Sequence, residues 1–264
     1  MGTYDNKSLR KCFRGKRKLT GKWSKQQAEL LLSQTYWFAA VPASMRRAIL
    51  DRSEIRQFGR SASLYRIGDP VDGMYASLEG DIRAHAHGDH GERILLRLLG
   101  PGSWFGEFHL LDNYPARTFE VCAASECTAL FLPKQGYDAI TEESQEYYRH
   151  FVRLTCMHQR FMVRIALEAR SDAAHRTARA LIRIARMHGR NTERRTQLSI
   201  NLTQSDLASL VGVSRQYLNE LLSRWNEEGV LIWKGNAPPV LFLDRLRTLL
   251  TPLDDWMLES EGWA

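Results

Sequence analysis

Acidic residues are almost missing from the first 26 positions, where Asp5 stands alone against Lys7, Arg10, Lys11, Arg14, Lys16, Arg17, Lys18, Lys22 and Lys25. The same stretch has no apolar core, so it reads as a solvated basic arm and not as a signal peptide. Nowhere in the 264 residues is there an apolar run near the roughly 20 residues that a membrane-spanning helix needs, and no membrane partner is expected. Cysteine is scarce. Cys12, Cys122, Cys127 and Cys156 are scattered, without the C-x-x-C spacing of zinc or iron-sulfur sites, and are expected to be small hydrophobes in a reduced cytoplasm. Glycine and proline are absent from Glu142 to His188, which leaves that whole stretch free to be helical.

Elsewhere glycine is frequent. Between about Ser53 and Leu132 short apolar segments are punctuated by Gly59, Gly68, Gly73, Gly80, Gly88, Gly91, Gly100, Gly102 and Gly106, the pattern of an all-β barrel or jelly roll. Ser24 to Arg52 reads as helical. The length and the change of pattern near Glu142 imply two compact units. In the glycine-free stretch Tyr147, Phe151, Leu154, His158, Phe161 and Ile165 alternate by four and three, which is the seam of a coiled coil and implies a homodimer. Packing of the same stripe on its own β domain is the alternative. Ser171 and Asp172 interrupt the stripe with cap-forming residues, and an Arg-rich amphipathic helix resumes from Ala173 to Met187.

Toward the C-terminus the spacing predicts helices over 203–210 and 214–226, then a β pair from Val230 to Leu243 around Gly235, the order of a winged helix. Thr203 and Asp206 form a capping box, Ala208 and Gly212 allow a close helix crossing, and Ser214 caps the second helix. Leu207, Leu210, Val213, Leu218, Leu221 and Leu222 supply the buried faces. Arg215, Gln216, Asn219 and Glu220 are left outside, with Tyr217 beside them. Their side chains match base edges: Arg for guanine, Gln for adenine, Glu for the cytosine amino group. A net charge of +7 agrees with a double-stranded DNA partner.

The run from Thr203 to Leu222, followed by Glu228-Gly-Val-Leu-Ile232, resembles the DNA-binding segment of the cyclic-AMP receptor protein (Crp/Fnr) superfamily. Tyr65-Arg-Ile-Gly-Asp-Pro-Val-Asp-Gly-Met-Tyr75, Gly80 and Gly100-Pro-Gly-Ser-Trp-Phe-Gly-Glu107 resemble its β-roll signature. Residues 1–28, which the charge pattern makes a disordered basic arm, and the last dozen lie outside the resemblance, which implies an α+β chain: an antiparallel β-roll effector domain over 29–142, a dimerisation helix over 143–170, and a winged helix-turn-helix within 171–264. It implies a cytoplasmic, non-enzymatic transcription regulator on a palindromic operator, with RNA polymerase as a further partner. It also implies an effector site. Phe105-Gly106-Glu107 through Arg117-Thr118 resembles the family's phosphate cassette, in which Glu107 would hold a ribose hydroxyl while Arg117 and Thr118 take the phosphate of cAMP or cGMP. The family's adenine-contacting hydroxyls fall on Phe161 and Met162.

The chain departs from the family's pattern at several places. His109 stands where cyclic-nucleotide binders have Gly or Ala, and Phe119 where a small residue is usual. On the recognition helix Arg215, Gln216 and Glu220 replace the Arg, Glu and Arg of the best-known members, so the half-site is expected to differ from TGTGA. A reading of another class rests on His85, His87 and Glu92, whose H-x-H-x4-E spacing is that of a metal-dependent cupin enzyme. The glycine-flanked turn between them favours a solvated hairpin and no metal.

Overall fold

The computed structural model describes residues 23–251, apart from 90, 113, 193, 194 and 236. The chain enters through α1 (Lys25–Leu32), whose start is fixed by a capping box: the Ser24 hydroxyl accepts from the Gln27 amide and the Gln27 side chain accepts from the Ser24 amide. This helix reaches into the stretch expected to be an unstructured arm, while residues 1–22 lie outside the described residues. Two more helices follow, α2 (Tyr36–Ala39) and α3 (Ala43–Arg52).

Strands β1 (Glu54–Phe58), β2 (Ser63–Tyr65), β3 (Gly73–Glu79), β4 (Ile82–His87), β5 (Arg93–Leu99), β6 (Trp104–Phe105), β7 (Glu120–Ala123) and β8 (Cys127–Pro133) build the roll. They form two antiparallel sheets, ordered β1-β8-β3-β6 and β2-β7-β4-β5. The side-chain period of two explains how the first sheet sorts its residues. Tyr75, Ala129 and Phe131 point between the sheets, together with Tyr65, Ile82, Ala84, Leu99, Phe105 and Val121. Met74, Ala76, Leu78, Leu130 and Leu132 point the other way, against the helices. A short helix, α4 (Phe108–Leu111), interrupts the strands, and α5 (Lys134–Glu143) follows them.

The long helix α6 (Gln145–Glu168) starts at Ser144, whose hydroxyl accepts from the Glu146 amide. Its four-three stripe does not face outward. Phe151, Leu154 and Met157 are buried in the core that the helices share with β3 and β8, and the Phe151 ring packs on Tyr137 and Trp37. His158 pairs with Glu107, and Phe161 lies under the guanidinium groups of Arg97 and Arg183. The stripe is therefore the contact with the chain's own β-roll, the alternative that spacing alone left open. A different face of α6, carrying Tyr148, Val152, Cys156, Val163 and Leu167, is exposed.

After α7 (Ala173–His188) comes a hairpin, β9 (Gly189–Thr192) and β10 (Arg195–Leu198), that the sequence reading did not anticipate. It joins β11 (Leu231–Ile232) and β12 (Val240–Leu241) in a sheet ordered β11-β12-β10-β9. The helix-turn-helix lies between, as α8 (Gln204–Val211) and α9 (Arg215–Glu227), and α10 (Leu243–Arg247) follows the sheet. The core of this region takes in Leu95 and Leu98 from the roll. At the joint Glu168 accepts two bonds from Arg183, at 2.6 and 2.8 Å, with both side chains nearly buried.

Candidate nucleic-acid interface and effector site

The turn between α8 and α9 is built as its residues require. The Thr203 hydroxyl accepts from the Asp206 amide at 3.0 Å while the Asp206 carboxylate accepts from the Thr203 amide at 3.1 Å. Gly212 closes α8 in the left-handed region at φ 68°, where a Cβ is disfavoured, and the Ser214 hydroxyl then accepts from the Tyr217 amide at 3.1 Å. Leu207 of α8 and Leu218, Leu221, Leu222 and Trp225 of α9 are buried, which turns the opposite face of α9 outward. Arg215, Gln216, Tyr217 and Glu220 are exposed. Gln216 donates to the Glu220 carboxylate at 3.2 Å, which pre-positions both. Asn219, expected beside them, is only half-exposed, with its Oδ1 buried.

Gly106, Glu107, Arg117 and Thr118 meet in the roll, but each is already engaged. Arg117 is fully buried against the Tyr65 ring. Its Nη1 donates to the Gly106 carbonyl at 2.9 Å, and its Nη2 donates to the Gly73 carbonyl and, at 2.9 Å, to Asp72. The Thr118 hydroxyl is hydrogen-bonded to His109 Nε2 at 2.9 Å. Glu107, also buried, accepts from His158 Nδ1 of α6 at 2.6 Å. Burial alone would raise the Glu107 carboxyl, yet the neighbouring imidazole, with Arg97 behind it, holds it below the ordinary carboxylate range. Burial and the Arg117 charge push the His109 imidazole down. Phe161 is half-buried and Met162 exposed, and neither side chain carries a hydroxyl. As placed, these residues do not fit a cyclic nucleotide, because the groups that would take its ribose and phosphate are bonded to protein.

The cupin alternative is not supported. His85 Nδ1 faces Arg93 and the Cys122 thiol, His87 approaches Glu120, and Glu92 folds over Gly88. Among the described residues no group of three or more His, Cys, Asp or Glu converges as a metal site would.

Sequence reasoning missed the contact between roll and helix-turn-helix. Arg83 of β4 donates to the Asp206 carboxylate at 2.6 Å and to the Asn201 carbonyl at 2.9 Å. The Leu95 amide on edge strand β5 donates to the Ser209 hydroxyl of α8 at 2.8 Å, and Asp81 accepts from the Asn201 amide. A charged residue alternating with apolar ones on a strand reads as solvent-facing, and nothing local marks Arg83 as an interface residue.

Comparison with known proteins agrees with this arrangement. Residues 55–144 match the Cyclic nucleotide-binding domain family, and residues 175–249 match the Crp-like helix-turn-helix domain family. The chain belongs to the Crp/Fnr superfamily of transcription regulators. Among its relatives is a CRP-like cAMP-activated global transcriptional regulator of Mycobacterium tuberculosis, 24% identical over 217 residues that cover 82% of this chain and 96% of that protein. A cyclic AMP receptor protein of Thermus thermophilus is 25% identical over 177 residues, covering 67% of this chain and 78% of that protein. In fold it resembles FixK2 from Bradyrhizobium japonicum, with a TM-score of 0.66 at 18% identity over 75% of this Crp/Fnr chain and 98% of the other. The c-di-GMP responsive regulator CLP of Xanthomonas campestris gives 0.62 at 20% identity, over 76% and 99%. No helix among the described residues is long and apolar enough to cross a membrane.

Proposed function

We propose that this regulator is a cytoplasmic, non-enzymatic homodimer that reads a palindromic operator through the N-terminal half of α9 and acts on RNA polymerase at the promoter. One observation carries the DNA reading: a helix capped at its start presents Arg215, Gln216, Tyr217 and Glu220 as an exposed polar face. Arg215 pairs with guanine and Gln216 with adenine, while Glu220 cannot donate to guanine, so the half-site departs from TGTGA. Thr203 and Ser214, exposed at the starts of their helices, are placed for backbone phosphate.

The dimer reading rests on the exposed apolar face of α6, not on the stripe that the roll covers. Tyr148, Val152, Cys156, Val163 and Leu167 recur along it. To read one palindrome, two copies joined there must hold their recognition helices about 34 Å apart, one turn of DNA. For the effector, the cAMP-activated relatives point to a cyclic nucleotide, which the cassette resemblance would seat at Gly106, Glu107, Arg117 and Thr118. The engaged state of those residues points away from one, and being an observation on this chain it carries more weight.

Selection of bound sequences from a random duplex pool tests the first reading. Palindromes other than TGTGA half-sites are expected, and recovery of TGTGA, or of no consensus, would remove the assignment of the reading face. Sedimentation of Val152→Glu with Val163→Glu tests the second. Folded monomers with weak palindrome binding are expected, and an undiminished dimer would place the interface elsewhere.

A further inference from the structure

We propose that the β-roll is self-liganded: His109 and His158 make to Thr118 and Glu107 the bonds that a cyclic nucleotide would make, so operator binding does not depend on one. The inference rests on the reading of the roll as this family's effector domain, and it assigns that domain a ligand-free working state.

Three features of the site carry it. Gly106 has φ 86° and no Cβ, which in a phosphate-binding turn leaves backbone amides open to an anion. Here Arg117 lies against the turn: its Nη1 would stand 3.2 Å from a Cβ added at Gly106 and donates to the Gly106 carbonyl. Arg117 also has its counter-ion in Asp72 and two main-chain acceptors in Gly73 and Gly106. A phosphate that took both Nη groups would leave the Gly73 and Gly106 carbonyls without this donor, and only Nε of the guanidinium is without a protein partner.

The second feature is the pair of histidines. His109 follows Glu107 by two residues on α4 and reaches the Thr118 hydroxyl, while His158 comes from α6 and reaches the Glu107 carboxylate. One imidazole lies within the cassette and the other comes from α6, and they end on the two polar groups left after Arg117 is engaged. His109 is 1% exposed, so its ring is part of the packed interior, in ring contact with Phe119, Tyr114 and Phe108. The third feature is the base end, where Phe161 packs beneath Arg97 and Arg183. An adenine entering there would have to displace that packing without gaining a hydroxyl partner. Among the described residues of the cassette and the Tyr65 ring against it, the buried side-chain atoms without a partner are the Tyr65 hydroxyl, His109 Nδ1 and Arg117 Nε, fewer than the set of donors that a cyclic phosphodiester takes.

The test titrates the full-length protein with cAMP and with cGMP by calorimetry, and measures operator affinity with and without each. The expected result is no binding heat up to millimolar nucleotide and operator affinity unchanged within about twofold. Micromolar binding by the wild-type protein, or an operator affinity raised more than tenfold by either nucleotide, overturns the proposal. His109→Gly combined with His158→Ser frees Thr118 and Glu107, and the folded variant is expected to bind a cyclic nucleotide at least tenfold more tightly than wild type. A folded variant that gains nothing also overturns it, and if the variant does not fold the wild-type titration decides. Absence of operator binding under every condition would remove the regulator reading, while leaving the nucleotide titration to judge the roll.

Discussion

The two polar constellations of this molecule, one in the roll and one on α9, have similar chemistry and opposite states. In the roll an arginine, a glutamate and a threonine are each bonded to protein partners, and the arginine has no exposed side-chain surface. On α9 an arginine, a glutamine and a glutamate stand in solvent, with one weak bond between the last two. A buried cation must be paired or the fold fails, whereas an exposed one keeps its bonding capacity for a partner at little cost to stability. The difference separates residues that maintain structure from residues that wait for a ligand, although both sets have the residue types of a binding site.

Substitution at the two arginines sharpens that contrast most. Arg117→Ala removes the partner of two buried carbonyls and of Asp72, and is expected to lower unfolding stability by about 3–5 kcal/mol, read as a fall in the denaturant midpoint. A loss under 1 kcal/mol would mean that the roll does not lean on this side chain. Next in size is an acid effect at the joint between the two regions. His188 is buried against Gly100 and has its pKa pushed down to about 4 by burial. The unfolded chain binds a proton there near pH 6.5 and the folded chain does not, so stability is lost as pH falls from about 6.5 toward 4, by up to about 1.4 kcal/mol per unit. His188→Leu should flatten that slope, and an unchanged slope would assign the acid sensitivity to other groups. The smallest change in stability is expected at Arg215→Ala, within about 0.5 kcal/mol, while operator affinity drops by roughly 1–3 kcal/mol and one base position relaxes. An unaltered base preference would show that Arg215 does not read the groove.

The helix-turn-helix was legible nearly to the residue. The caps at Thr203 and Ser214 and the turn at Gly212 are local hydrogen-bonding rules, and local rules survive without knowledge of the rest of the fold. The roll was legible as a class through its glycine spacing and alternation. What the spacing of α6 could not decide is which of two faces meets the roll and which a second copy, since Phe151 and Val152 are both apolar and only the position of the sheet distinguishes them. The β9–β10 hairpin was missed because Arg195-Thr-Gln-Leu198 alternates too briefly, inside a polar stretch, to stand out as a strand. The engagement of Arg117 depends on Asp72, 45 residues before it, and that of Glu107 on His158, 51 residues after it. His109 was visible as a departure, and its bond to Thr118 is the one part of that engagement that the cassette itself could suggest.

Asp206 holds two positions at once, completing the capping box of α8 and receiving Arg83 from the roll. The first turn of the DNA-binding motif therefore shares a carboxylate with a neighbouring domain, and its order is not a property of the C-terminal fragment alone. Cut away from the roll, that fragment would keep the box and lose the anchor. Amide exchange would then open the start of α8 first, while α9, whose cap lies wholly within the fragment, would keep its protection.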